Sequence, residues 1–296
     1  MKGIMNVLKP PGMTSHDVVN RLRKLIGIKK IGHGGTLDPA AAGVLPVFIG
    51  KATKAIQFFE DYDKEYVAEM ILGVVTDTGD STGNVVATSE IRVDIPKIKQ
   101  ALKKFTGVIE QIPPMYSAVH YRGVKLYELA RKGITVERKP RTVEIKSLEL
   151  LDFRGDRAIF KVTCTKGTYI RTLCEDIGRE LGCGACLSCL VRTGSGPFGI
   201  NNSLTLEEIE QYVLNNELDK IIKPIDSCLE GIPGIEISFI DERLFSKGKV
   251  YSVDQNQAKI KAGDLVRVYG NGRFLGIGEV LQKNQRTIVR VVKSFI

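Results

Sequence analysis

The sequence predicts an α+β fold: a mostly antiparallel sheet flanked by helices, followed by a small β-barrel module. Three observations carry this. Strand-like apolar runs alternate with stretches of helical periodicity through the first 213 residues. Gly231, Pro233 and Gly234 then read as a linker. Beyond them, regular short strands with glycine turns argue for a compact barrel over 236–296. At 296 residues the chain is long for one compact domain, and a large domain plus a small one is the natural expectation.

Taken in order, residues 3–8 read as a strand ending at the Lys9-Pro10-Pro11-Gly12 turn. Thr14 or Ser15 caps a helix in which Val18, Val19, Leu22, Leu25 and Ile26 recur at helical spacing, and Gly27 closes it. A glycine-rich loop over 31–39 leads to a strand at 44–49 and a short helix from Thr53 to Glu60. Residues 64–73 read as a strand carrying Tyr66, and 77–84 as a polar loop. Asp94 and Pro96 open a helix with Ile98, Leu102 and Phe105 on one face, ended by Gly107. Residues 113–146 are the least core-like: a basic arm with one helical piece, Lys125 to Lys132, read either as a lid over a ligand or as a surface insertion. Strands follow at 141–153 and 157–165, then a helix from the Lys166-Gly167 turn to Leu181, a strand-like run at 186–193 and an acidic helix at 205–213. In the small module 264–269, 273–278 and 286–292 read as strands.

With 43% hydrophobic and 26% charged residues the composition is that of an ordinary globular protein. No run reaches the roughly 18 apolar residues of a membrane span, and Met1 to Pro10 holds no signal-peptide core. The expectation is a soluble, cytoplasmic protein without membrane contact. The net charge of +9 is unevenly placed. Residues 1–60 carry nine Lys/Arg against three Asp/Glu, 119–146 eight against three, and 236–296 eleven against six, whereas 201–230 has two against seven. Separate basic patches suit an extended polyanion touched at several points, and they equally suit solvated surface lysines. Cys183-x2-Cys186-x2-Cys189 has metal-like spacing, but no histidine is near in sequence. Buried thiols used as small hydrophobes are the reading preferred here, with no metal. Gly43 to Lys51 imitates a phosphate-binding loop, yet Leu45 and Ala52 stand where that motif needs Gly and Ser/Thr.

The chemistry points to Ile31-Gly32-His33-Gly34-Gly35-Thr36-Leu37-Asp38-Pro39. Three glycines in four residues let the backbone approach a ligand, and Pro39 holds the one carboxylate, Asp38, in extended geometry. The plainer reading is an Asp-Pro turn.

Gly32 to Pro39, Asn6-Val7-Leu8-Lys9-Pro10-Pro11-Gly12-Met13-Thr14-Ser15 and Lys166-Gly167-Thr168-Tyr169-Ile170-Arg171 together resemble the bacterial tRNA pseudouridine-55 synthases, the TruB family. Asp63-Lys64-Glu65-Tyr66 and Lys125 to Ala130 fit the same pattern. The resemblance spans essentially the whole chain. It implies the pseudouridine synthase fold over 1–230, with a thumb-like arm around 113–146, and a PUA-like RNA-binding domain over 236–296. It implies an isomerase that flips the T-loop uridine of tRNA, detaches its base and rejoins it through C5, with no cofactor. Asp38 is then the catalytic residue, and attack on the base, attack on C1′ and proton removal from the ribose all stay open. Arg171 supplies the charge that keeps Asp38 ionised in a dry pocket. Tyr66 stacks on the base, Tyr169 and Leu190 confine it, and His33 fills the vacated stack. Lys9, Arg122, Lys125 and Arg141 hold the RNA. The implied partner is the tRNA T-stem-loop, with no obligate protein partner and a monomeric state. From residue types alone Arg171 reads as a helix-surface arginine and both tyrosines as half-buried aromatics, and a non-catalytic RNA-binding or RNA-folding protein is the alternative. Three positions depart from the common pattern: Gly34 stands for threonine, Cys186 for histidine and Val191 for arginine.

Overall fold

Two sheets organise the chain. The structure, a computed structural model, describes residues 1–246, 251–252, 260–283 and 286–296. The predicted small module therefore lies partly outside the described residues, at 247–250, 253–259 and 284–285.

Strand β1 (Gly3–Lys9) is followed by α1 (Ser15–Ile26), whose N-terminus is closed by a capping box. There the Thr14 hydroxyl accepts from the Asp17 N–H, the Asp17 carboxylate accepts from the Thr14 N–H, and Gly27 ends the helix at φ 74°. Next come β2 (Ile31–His33), β3 (Ala42–Ile49), a 3₁₀ turn over Gly50–Ala55, and α2 (Ile56–Phe59). The single helix predicted from Thr53 to Glu60 is thus two short pieces. Ala52, Ala55 and Phe59 are the buried positions, three and then four residues apart, which suits a 3₁₀ turn running into one α turn. After β4 (Lys64–Leu72) a hairpin of β5 (Val74–Thr76) and β6 (Val85–Thr88) flanks the polar loop. Helix α3 (Ile95–Lys104) begins at an Asp94 cap with proline in its first turn. Strand β7 (Gly107–Gln111) precedes the arm, which contains β8 (His120–Tyr121), β9 (Val124–Lys125) and α4 (Leu126–Ala130). The body closes with β10 (Arg141–Arg154), β11 (Arg157–Cys164), α5 (Ile170–Glu180), β12 (Ala185–Ser195), β13 (Phe198–Gly199) and α6 (Leu206–Leu214).

The large sheet has the order β1-β3-β12-β4-β11-β10-β7, with β2 also on β3 and β13 on β12. Its pairs are antiparallel except β12 with β3, which run parallel through Val191↔Ala42 and Arg192↔Gly43. One core cluster packs α3 and α5 (Ile98, Leu102, Leu173, Ile177) on β4, β11 and β12, and another packs α1 and α6 (Val18, Leu22, Ile209) on β1 and β3. Strand β7 escaped the sequence reading, which took Gly107 only as a helix end. It is an edge strand with Val108 largely exposed, so it carries little apolar alternation.

The second sheet has the order β14-β16-β17-β18-β15, formed by β14 (Gly234–Ile237), β15 (Tyr251–Ser252), β16 (Leu265–Gly270), β17 (Arg273–Lys283) and β18 (Arg286–Ser294), with α7 (Phe239–Ser246) between its first two strands. Gly234, read as linker, is the first residue of β14, which lies parallel to β16. Ile277 and Phe295 bury themselves with Phe48 and Phe59 of the body, and Lys2 Nζ and Lys54 Nζ donate to the carbonyls of Phe295 and Ser294 at 2.9 and 2.8 Å. No helix among the described residues is long and apolar enough to cross a membrane.

The parallel junction depends on Gly43. Its φ is 113°, and a Cβ there would lie 2.2 Å from the Arg192 carbonyl oxygen. Gly27 also has positive φ but nothing within 4 Å. Gly43→Ala should therefore cost well over about 2 kcal/mol, whereas Gly27→Ala costs about 1. Urea or thermal unfolding of the two variants checks this, and equal losses would count against the close strand approach.

Candidate active site

The loop between β2 and β3 is fixed from both sides. Gly34 N–H donates to the Pro46 carbonyl at 2.8 Å, while Leu37 N–H donates to Ser15 Oγ at 2.8 Å. Ser15, the first residue of α1, is itself buried. Beyond the acid, Gly12 N–H donates to the Pro39 carbonyl at 2.8 Å. Gly34 has no room for a side chain, because a Cβ would meet the Phe59 and Phe48 rings at 2.5 and 2.8 Å. That accounts for the departure from threonine in this chain.

Asp38 faces Arg171 from the first turn of α5, with Oδ2 2.9 Å from Nη2. The Arg171 side chain is 7% exposed, so it is not the surface arginine that periodicity suggested. Its guanidinium also donates to the Tyr116 carbonyl at 2.7 Å and the Thr78 carbonyl at 3.3 Å, and it lies 3.8 Å from Asp80 Oδ2. Asp80 is in turn held in its loop by the Thr78 and Thr82 hydroxyls. The Asp38 side chain is 45% exposed, so the expected dry pocket is an open cleft in the free chain.

That cleft, of about 590 Å³, is lined by His33, Asp38, Tyr66, Tyr169, Arg171 and Leu190, with Arg141 among the residues at its wall. Gln111, buried at the end of β7, grips the Tyr169 backbone: Tyr169 N–H donates to Gln111 Oε1 at 3.0 Å, and Gln111 Nε2 donates to the Tyr169 carbonyl at 3.3 Å. Burial, with Arg192 and His16 nearby, lowers the His33 pKa and favours the neutral ring. Its Nδ1 accepts from Gly35 N–H at 3.4 Å. Burial pushes the Tyr66 phenol up, and Arg192 opposes that.

The other residues expected to hold RNA are not brought together. Arg122 and Lys125 lie on the arm outside the cleft, where Arg122 stacks over Tyr121 at 5.5 Å and Lys125 over Tyr127 at 5.6 Å. Lys9, expected to hold phosphate, is fully buried: Nζ donates to the carbonyls of Met13 (2.6 Å), Pro10 (2.8 Å) and Pro39 (3.3 Å). It ties the first turn to the Asp38 loop and has no surface left for RNA. Sequence reasoning also missed Asp80, Gln111 and Arg192. It sought an arginine at Val191, one residue after Leu190, whereas strand alternation places Arg192 on the same face as Leu190. Cys183 and Cys186 are buried and Cys189 is exposed, and among the described residues no three His, Cys, Asp or Glu side chains gather as a metal site.

A carboxylate fixed by a guanidinium and walled by flat rings is the equipment of an enzyme acting on a planar, uncharged group. Comparison with known proteins gives the family. The profile of the TruB family pseudouridylate synthase N-terminal domain matches residues 23–170, that of the tRNA pseudouridylate synthase B C-terminal domain 171–230, and that of the pseudouridine synthase II TruB C-terminal region 233–292. The tRNA pseudouridine synthase B of Alkaliphilus oremlandii is 45% identical over 97% of both chains, and that of Clostridioides difficile 42% over the full length of both. Among solved structures, a Cbf5–Nop10–Gar1 complex superimposes with a TM-score of 0.77 at 33% identity, covering 99% of this chain and 85% of that chain. The chain belongs to the TruB family of pseudouridylate synthases.

Lys9 gives a prediction with a sign. Burial lowers its pKa from the ordinary 10.5 to about 8, although Asp38 pulls the other way. Below that value both folded and unfolded chains hold the proton, and folding bears the cost of burying a cation. Between about 8 and 10.5 the unfolded chain holds more protons, so this lysine's contribution rises with pH. Denaturant unfolding should show wild type gaining on Lys9→Met from about pH 7.5 to 10. A flat difference would mean that Lys9 titrates alike in both states.

Proposed function

We propose that this chain isomerises a uridine of the tRNA T-loop, position 55, to pseudouridine. The observation that carries the reading is the 2.9 Å contact between Asp38 and Arg171 at the floor of a cleft walled by Tyr66, Tyr169 and Leu190. A pyrimidine extruded from its stack is flat enough to lie between such walls, and its edges then meet fixed groups. The C1′–N1 bond breaks, the base turns, the C1′–C5 bond forms, C5 gives up its proton and N1 gains one. Atoms and electrons balance within the substrate, so the reaction calls for no redox partner. Asp38 acts on the base, on C1′ or on a ribose proton, and Arg171 offsets its charge while holding it in place. Tyr66 takes the C5 proton, and His33 enters the space the nucleotide leaves.

Residues 1–230 make the catalytic domain and 236–296 an RNA-binding module of PUA type. Arg141 at the cleft, with Arg122 and Lys125 on the arm, meets the phosphates of a monomeric enzyme's substrate in the cytoplasm. The tRNA substrate accords with the names of the curated relatives. The non-catalytic alternative uses the same basic surfaces and shares the salt dependence of RNA binding.

Incubation with an unmodified T-stem-loop RNA, followed by mass-spectrometric detection of pseudouridine, separates the two. Arg171 keeps Asp80 and two carbonyl partners when the acid is gone, so Asp38→Asn should stay folded. It should lose more than about 1,000-fold in product formation while RNA affinity changes less than about threefold. Product from Asp38→Asn at the wild-type rate would overturn the assignment.

A further inference from the structure

Among the cations that line the cleft, Arg192 is one that the reading above leaves without a task. Arg192 is 1% exposed, in the middle of the large sheet. The groups it meets are neutral acceptors: Nε donates to the Val44 carbonyl at 2.7 Å, Nη2 to the Gly35 carbonyl at 3.0 Å and Nη1 to the Thr36 carbonyl at 3.5 Å. Its cross-strand partner on β4 is Tyr66, and both residues line the cleft. A buried guanidinium satisfied by carbonyls is costly, and an apolar side chain would fill a central strand at no such cost. Its value is therefore to be sought in what it holds.

Gly35 and Thr36 belong to the loop that carries Asp38, and Val44 lies in the strand that follows it. Tyr66 is the cross-strand partner on β4. One planar, many-armed donor thus fastens the acid's loop to the strand beside the tyrosine, and lysine, with a single nitrogen, has no equivalent. We infer that Arg192 is a positioning residue, holding the Asp38 loop in register with Tyr66, and its charge beside the phenol, so that acid and phenol address the same ring. This rests on the pseudouridine reading for its catalytic consequence but not for its geometry.

The charge has a second effect. From β11, Cys164 faces the Tyr66 phenol; from the loop, Asp38; and from β12, Arg192. Lys64 lies two residues before it on the same strand and also lines the cleft. Burial, Cys164 and Asp38 all oppose ionisation of the phenol, whereas the charge of Arg192 favours it. The cation thereby keeps Tyr66 usable as a proton acceptor in a place that otherwise suppresses that role.

The test reads Tyr66 directly. In protein labelled at tyrosine Cζ, the Tyr66 signal is found by its loss in Tyr66→Phe and titrated by NMR. Arg192→Gln removes the charge, while Arg192→Lys keeps it and loses the grip on the three carbonyls. The phenol should titrate about one unit higher or more in Arg192→Gln and part of the way in Arg192→Lys. Single-turnover formation of pseudouridine on the T-stem-loop RNA should fall about 30-fold or more in Arg192→Gln, with an alkaline shift of its pH profile and RNA affinity within about threefold. In a Tyr66→Phe background the same change should cost no more than about threefold. An unmoved Tyr66 titration, or an equal loss with and without the phenol, would reduce Arg192 to a structural residue. Should Arg192→Gln not fold, Arg192→Lys is read by the same criteria. A wild-type chain that makes no pseudouridine would overturn the functional reading, while the titration still decides whether Arg192 governs the phenol.

Discussion

The ion pair of Asp38 and Arg171 is the contact on which the rest of the structure converges. A guanidinium taken almost wholly out of water needs its donors satisfied, or it destabilises the fold. This one collects the Tyr116 and Thr78 carbonyls and the carboxylates of Asp38 and Asp80. Those partners come from three separate segments, and α5 supplies the arginine itself. The pair therefore forms only when the loop after β2, the loop between β5 and β6, and the start of the arm have all reached their places. It also fixes which element leads: Arg171 is anchored in the body, and the acid is brought to it.

What brings the acid is backbone close approach. At Gly43 the chains of β3 and β12 touch so tightly that a Cβ would overlap the Arg192 backbone. At Gly178 a Cβ would lie 2.2 Å from the Ala185 nitrogen, so α5 sits directly against the start of β12. Gly34 is pressed against the Phe48 and Phe59 rings. The first contact seats the end of the acid's loop on the sheet, the second seats the arginine's helix on the same strand, and the third packs the loop's start onto the aromatic core. That core continues into the C-terminal sheet through Ile277 and Phe295, so the small module buttresses the sheet beneath the loop.

The fold was legible where local chemistry decides it. Thr14 and Gly27 mark α1, and Asp94 with Pro96 marks α3, because caps act within a few residues. Strand β7 and the start of β14 were not legible, since an edge strand and a glycine opening a strand carry no period of their own. In the site, the glycines around Asp38 are visible in sequence, and the resemblance named its neighbours. The buried state of Arg171, Lys9 and Arg192 is not: the two arginines are accommodated by carbonyls or carboxylates distant in sequence, and Lys9 by two carbonyls of its own turn and one of the Asp38 loop. The resemblance made Lys9 a phosphate ligand, and its three carbonyl acceptors appear only once the turn is folded. Arg192 was within reach: Leu190 and any residue two further on share a face of a strand.

An acid 45% open to solvent differs from the dry carboxylate expected, and the difference bears on how the cleft works. A fully desolvated Asp38 would weaken the empty enzyme, since its hydration would be lost with little return. On the function proposed above, water keeps that hydration until the uracil ring enters between Tyr66, Tyr169 and Leu190. The entering ring would expel water, the local dielectric would fall, and the attraction across 2.9 Å would strengthen at the moment of reaction. Desolvation would then be driven by RNA binding rather than by folding. The same logic places the cations: Arg171 and Arg192 are buried beforehand and already satisfied by fixed backbone oxygens, so neither has to reorganise when the substrate arrives.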